Sequence, residues 1–218
     1  IGTTSGPDTC KFEPTDAIPC AKAPVRVPGL TGVTAVSAGT AHTCAPLSNH
    51  RVLCWGANER GELGDGSVTD RSSPTPVQGI ATATKVAAGG GGLSPGGTCA
   101  LLADGHVTCW GSAQTGAGAH PDPAVVAGIS EVKDLSVGSG FACAVVGGGT
   151  VRCWGRNGDG NLGNGSDVDA TTPTQVSGVT SAIAVAAGRN HACAVLTDGH
   201  MKCWGWNRHG QLGNGTNT

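Results

Sequence analysis

The sequence predicts an all-β fold: a β-propeller-type array of four four-stranded blades, one of them completed by the N-terminal strand either within the chain or between chains. Three observations predict it. A unit with two cysteines ten positions apart, the second followed directly by Trp-Gly, is written four times, at 44–63, 99–117, 143–162 and 193–212. Each copy is preceded by the same approach, with Pro24, Pro74, Pro123 and Pro173 fifteen residues before Gly39, Gly89, Gly138 and Gly188. Finally, 38 Gly, two Phe, one Met and no Tyr leave little material for long amphipathic helices. A period of about 50 residues carrying four short strands is the signature of a propeller blade.

The chain divides at residue 23. In residues 1–23, Cys10 and Cys20 are again ten apart, but Pro14 and Pro19 interrupt the stretch between them. Proline removes a donor and restricts its neighbour, so an irregular loop closed by a disulfide is expected there. From Pro24 to 218 the four repeats follow. Val27, Val77, Val126 and Val176 each stand twelve residues before the repeated Gly, in a strand whose Pro suits an edge or opening position. The next strand (Ala35–Ala38, Lys85–Ala88, Leu135–Val137, Ala184–Ala187) is made of residues small enough for a crowded centre.

The hairpins come next, at about 40–56, 95–111, 139–155 and 189–205. If the paired cysteines face each other, the loop is centred five residues from each, giving Ala103-Asp104-Gly105 and Thr197-Asp198-Gly199. A type I turn closed by a left-handed residue is a common three-residue hairpin loop, and Gly fits its last position. The other copies have Gly147-Gly148-Gly149 and Ser48-Asn49-His50. Directly opposed cysteines lie close enough to bridge. Cys44–Cys54, Cys99–Cys109, Cys143–Cys153 and Cys193–Cys203 therefore read as disulfides, and Cys10–Cys20 as a fifth. A zinc site needs tighter Cys/His spacing, and no Cys-x-x-Cys supports a redox role.

Ten pairable cysteines point to an oxidising compartment, so the protein is expected to be secreted, extracellular or on the cell surface. The chain begins at Ile1 with neither Met nor signal peptide, as expected of a mature secreted form or a trimmed chain. A net charge of −2 with scattered Lys and Arg argues against nucleic acid. No apolar run approaches the roughly 20 residues of a membrane helix.

Small strand, Gly, His-x-Cys, hairpin, Cys-Trp-Gly-x-Asn-x-x-Gly-x-Leu-Gly-x-Gly and Pro-x-x-Val recur over 24–218. This pattern resembles the repeats of the regulator of chromosome condensation (RCC1) family, in a secreted, disulfide-containing bacterial-type variant. The resemblance implies a propeller of four-stranded blades, usually seven of them, where only four hairpins stand here. The second copy departs from the pattern, with Gly90–Gly97 inserted and no Leu-Gly-x-Gly after its Trp. Family propellers use a face of the disc to bind proteins, and some secreted relatives inhibit enzymes. Nucleotide exchange on a small GTPase, associated with the nuclear family member, is not carried over, because the cysteines argue for another compartment.

The ends are complementary. Trp55 to Gly89 and Trp154 to Gly188 both span 34 residues, but only 14 follow Trp204. The missing twenty match residues 20–39, so Pro24, Val25 and Val27 at one end and Leu212 and Asn214 at the other are the candidate blade-closing residues. Closure within one chain and head-to-tail joining between chains both satisfy this count.

No nucleophile-elbow, P-loop, dinucleotide or zinc-protease motif appears, so no catalytic residue and no cofactor is expected. Residues 157–161 carry part of a calcium-loop pattern but lack its bidentate Glu. Trp55, Trp110, Trp154 and Trp204 read as wedges between blades. Trp206 stands where the other copies have Ala57, Ser112 and Arg156, beside Arg208 and His209, and reads as a contact hot spot. Glu59, Arg60, Gln114, Thr115 and Arg156 occupy the same variable loop in other copies. Asn164 and Asn214 head glycosylation sequons that also fit the Leu-Gly-x-Gly turn. The expected role is a non-catalytic module for protein contact or extracellular assembly. An inhibitor or ligand-binding propeller is the alternative, and an enzyme using the disc centre comes last.

Overall fold

The repeated glycines show why this sequence builds radiating sheets. A Cβ placed on Gly39 would lie 2.7 Å from the carbonyl oxygen of Gly89. One on Gly89 would lie 2.5 Å from that of Gly138, and one on Gly138 would lie 2.6 Å from that of Gly188. Each blade's innermost backbone thus abuts the next, and only a residue without a side chain fits there. The computed structural model describes residues 8–10, 18–91, 94–112 and 120–217.

Strands β1 (Asp8–Cys10) and β2 (Ile18–Cys20) pair antiparallel as a two-stranded ribbon. The expected irregular segment is therefore a paired ribbon at its two ends, because Pro19 sits opposite Thr9 in a two-stranded piece with free outer edges. Residues 11–17 lie outside the described residues. Cys20 is disulfide-bonded; the side chain of Cys10, its expected partner, also lies outside them.

The first blade is β3 (Ser37–Ala38), β4 (His42–Pro46), β5 (Val52–Gly56) and β6 (Arg71–Pro76), in that order. The second is β7 (Ala83–Gly91), β8 (Ser94–Leu102), β9 (Val107–Gly111) and β10 (Ala124–Val125). The third is β11 (Asp134–Val137), β12 (Phe141–Val146), β13 (Thr150–Gly155) and β14 (Ala170–Gln175). The fourth is β15 (Ala182–Ala187), β16 (His191–Leu196) and β17 (Met201–Gly205). All neighbours are antiparallel. The insertion in the second copy lengthens the inner hairpin, carrying the pairing from Gly89↔Gly97 out to Gly91↔Ser94.

Each middle hairpin sets its cysteines directly opposite, with Cα atoms 4.0–4.1 Å apart, and all four bridges form. The last loop residue is left-handed each time: His50, Gly105, Gly149 and Gly199 have φ of 63–82°. Asn49, Asp104 and Asp198 tie these turns by accepting a hydrogen bond from the backbone N–H two residues on.

The core consists of three repeats of one junction. Cys44, Val52, Cys54 and Leu63 of the first blade pack on Val77, Ile80, Ala83, Val86 and Trp110 of the second. Leu101 and Val107 meet Val126, Ile129, Val132, Leu135 and Trp154 at the next junction, and Val145 and Val151 meet Val176, Val179, Val185 and Trp204 at the third. The wedge reading holds for Trp110, Trp154 and Trp204, which sit at these junctions. Trp110 and Trp204 also donate indole N–H bonds across the junction, to the carbonyls of Glu62 and Asn161 at 2.8 and 3.0 Å. Pro74 and Pro173 lie inside outer strands, where no further neighbour asks for a donor, and Val77, Val126 and Val176 come just after those strands.

At the fourth blade the pattern stops. The described residues give its sheet three strands, and Pro24, Val25 and Val27 lie outside any strand. Among the described residues no strand pairs with the outer edge of β17.

Candidate protein-contact face

The loops that follow β5, β13 and β17 leave the same end of their blades and share one internal tie. Asn58, Asn157 and Asn207 are buried at its root. Each side-chain oxygen accepts the N–H five residues on (Leu63, Leu162, Leu212) at 2.9–3.0 Å. Each amide donates to the carbonyl nine residues on, that of Ser67, Ser166 or Thr216. One amide thus satisfies backbone groups that a loop would otherwise leave unpaired. This explains residues 157–161 without calcium: Asn157 is a tie inside the loop. Among the described residues no group of three or more His, Cys, Asp or Glu is gathered for a metal.

The sequon residues belong to the same tie. Asn164 accepts from the Asn157 amide and from Ser166 N–H; Asn214 accepts from the Asn207 amide and from Thr216 N–H. Asp65 fills the same role in the first copy and also pairs with Arg71 at 2.7 Å. Bonds from Ser67 and Arg71 hold its carboxyl below the usual carboxylate range against an opposing cost of burial, the largest single influence.

On this scaffold Glu59, Arg60, Arg156, Arg208 and His209 are exposed, and Trp206 is half-buried. Trp206, Arg208 and His209 share one loop, with the His209 ring edge-on to Trp206 at 5.2 Å between centroids. Arg156 lies over Gly140 of its own blade. Gln114 and Thr115 fall outside the described residues. Between the third and fourth blades, Ser139, Arg156, Asp159, Asp169 and Asn190 line a polar cavity of about 400 Å³. Asn190 donates across it to Asp159 at 2.7 Å, and Ser139 Oγ is buried there without a partner.

The sequence reading missed a buried titratable pair at the first junction. The ring of His42 lies under Gly39, where Phe141 and His191 lie under Gly138 and Gly188. Its Nε2 is 2.8 Å from Thr98 Oγ1, and that hydroxyl donates to the Glu62 carbonyl at 2.9 Å. Nε2 therefore carries the proton and donates, so the ring is the neutral Nε2–H tautomer. Burial pushes its pKa down to about 4. Burial also raises the Glu62 carboxyl, against hydrogen bonds from its own and the Arg60 backbone that pull it down. The signal available in the sequence was His42 at a position where another copy carries Phe.

Models described as "Regulator of chromosome condensation (RCC1) repeat" match residues 33–62, 132–161 and 182–211, and also 49–92 and 148–195. The mitochondrial RCC1 domain-containing protein RUG3 of Arabidopsis thaliana is 32% identical over 93 residues, 42% of this chain and 20% of its own. The Ultraviolet-B receptor UVR8 of the same plant is 44% identical over 48 residues, 22% of this chain and 11% of its own. The chain thus spans a fifth or less of these curated relatives. Human WBSCR16 superposes with a TM-score of 0.79 at 22% identity, over 99% of this chain and 57% of that one. Prp20p from Saccharomyces cerevisiae superposes at 0.75 and 20% identity, over 91% and 51%.

Proposed function

Because the chain belongs to the regulator of chromosome condensation repeat family, we propose that it is a non-catalytic protein-contact module of the extracellular space or cell surface, with self-association among its contacts. The observation that carries the reading is Trp206. It stands half-buried and braced by His209 on a loop whose core tie is repeated but whose tip is not. Large aromatic side chains at a rigid, partly desolvated position are the usual anchors of protein interfaces. Yeast RCC1 (Prp20), a structural relative, has been solved with Kap60 bound. Four disulfides support an oxidising compartment.

The test is capture of proteins from the extracellular fraction by the folded chain, compared with Trp206→Ala and with Arg208→Ala/His209→Ala. A specific partner should bind the parent and be lost, about tenfold or more, from Trp206→Ala. A partner retained by both variants would move the contact elsewhere, and hydrolytic turnover by the parent would replace the reading with an enzyme. One observation favours a second reading: the cavity holding the unpartnered Ser139 hydroxyl suits a small polar ligand.

A further inference from the structure

Buried polar groups in a folded protein are paired, and an exception raises the question of what its partner is. Among the described residues one side-chain oxygen is buried without a partner, Ser139 Oγ, on a residue 4% exposed. The Ser139 N–H is spent on the Arg189 carbonyl across the junction at 3.0 Å, which fixes where the hydroxyl stands. Ser139 lines the polar cavity of about 400 Å³ between the third and fourth blades, inside the range of roughly 300–1,000 Å³ for small-molecule sites. Asn161 is buried beside it, Asn190 is half-buried, and the exposed Arg156, Asp159 and Asp169 form the rim. Hydrogen-bonding positions remain on these groups after the bonds inside the protein are made. Asp159 accepts from Asn190 with Oδ2, and Asp169 accepts from the Asn157 N–H with Oδ1, which leaves each carboxylate a second oxygen. Asn190 and Asn161 each give one amide proton, to Asp159 and to the Arg156 carbonyl, and keep the other. The set is no by-product of the repeat: Ser139 answers to Thr40 and Arg189 in other copies, and Asn190 to Ala41 and Gly140.

We propose that this cavity binds a neutral sugar ring. The proposal deepens the small-ligand reading of the cavity and rests on it. The lining selects its ligand by what each candidate would leave unpaired. Acceptors (the Asp159 and Asp169 carboxylates) are mixed with donors (the two Asn amides and the Arg156 guanidinium), and Ser139 Oγ does either. A hydroxyl both donates and accepts, so a ring carrying several of them answers both sets. A carboxylate or phosphate would meet two like charges at the rim. An ammonium accepts nothing from the amides and would stand beside Arg156. An apolar molecule would leave the buried polar groups without partners. The C–H face of a sugar needs an apolar surface, and one stands beside the cavity. The Trp206 N–H donates to the Asn190 carbonyl at 2.9 Å, and His209 braces the indole edge-on.

The test titrates the folded chain with glucose, galactose, mannose and N-acetylglucosamine, each free and as its methyl glycoside, and follows saturation-transfer NMR of the ligand. Putrescine and glycine are run beside them as an amine and a zwitterion. At least one sugar should bind saturably, and Ser139→Ala and Asp159→Ala should each weaken it about fivefold or more. Ser139 Oγ has no partner among the described residues, so Ser139→Ala should leave the thermal unfolding transition unchanged, where loss of a structural hydroxyl would lower it. A sugar bound equally well as its glycoside assigns the cavity to the end of a glycan, and one bound only when free assigns it to a soluble sugar; either result bears out the proposal. No sugar binding, or binding unmoved by both substitutions, would overturn it. Binding of putrescine or glycine alone would overturn the sugar class and leave the small-ligand reading in place, and silence across the whole panel would remove both. Neither variant alters Trp206, so the contact reading stands or falls separately.

Discussion

His42 concentrates the residue-scale argument. Its folded pKa of about 4 lies below the free value of 6.5, so the folded protein resists protonation. Stability is full above the free value and drains away as pH falls from 6.5 toward 4, by about 3 kcal/mol in all. Glu62 works the other way, since its raised pKa makes protonation favourable to the fold as pH falls. Replacing His42 with Phe, the residue its third-copy counterpart carries, should flatten the acid limb of denaturant unfolding between pH 7 and 4.5. An acid limb as steep as the parent's would place the titrating group elsewhere. This chemistry was not legible in the sequence, because the pairing with Thr98 joins residues 56 apart across a junction. The cysteine spacing, by contrast, was legible: opposed positions in a hairpin are fixed by loop length alone.

At the scale of the element, the loop after each Trp-Gly is a unit with one keystone. Asn157→Ala removes, at a fully buried position, the acceptor for Leu162 N–H and the donors to the Ser166 and Val168 carbonyls. Leaving several such groups unpaired should cost about 2–4 kcal/mol, read as a lowered urea midpoint with an unchanged slope. A loss under about 1 kcal/mol would show that the loop is held by the strands beside it. The repeat made the position of this Asn visible but not its task, since Asn in a turn usually serves its own backbone and here serves groups up to eleven residues away. The N-terminal ribbon was missed for a related reason. Two prolines argue against a central strand, yet a three-residue piece with open edges tolerates one of them.

For the whole molecule, four copies of one motif made four sheets readable but not the outer strand of the last sheet or the number of blades. Among the described residues the last sheet has three strands, and repeat spacing alone does not say what pairs with its outer edge.

The contacts between neighbouring blades (a central glycine against the next carbonyl, an indole reaching back to the preceding loop, Ser37 and Ser136 each capping an N–H one blade on) are made by recurring residues. Such an architecture is modular in the strict sense that duplication of a single gene segment supplies a new blade already fitted to both neighbours. Nothing in the seams themselves dictates how many units the chain should have, and evolution is free to lengthen or shorten it without redesigning any surface.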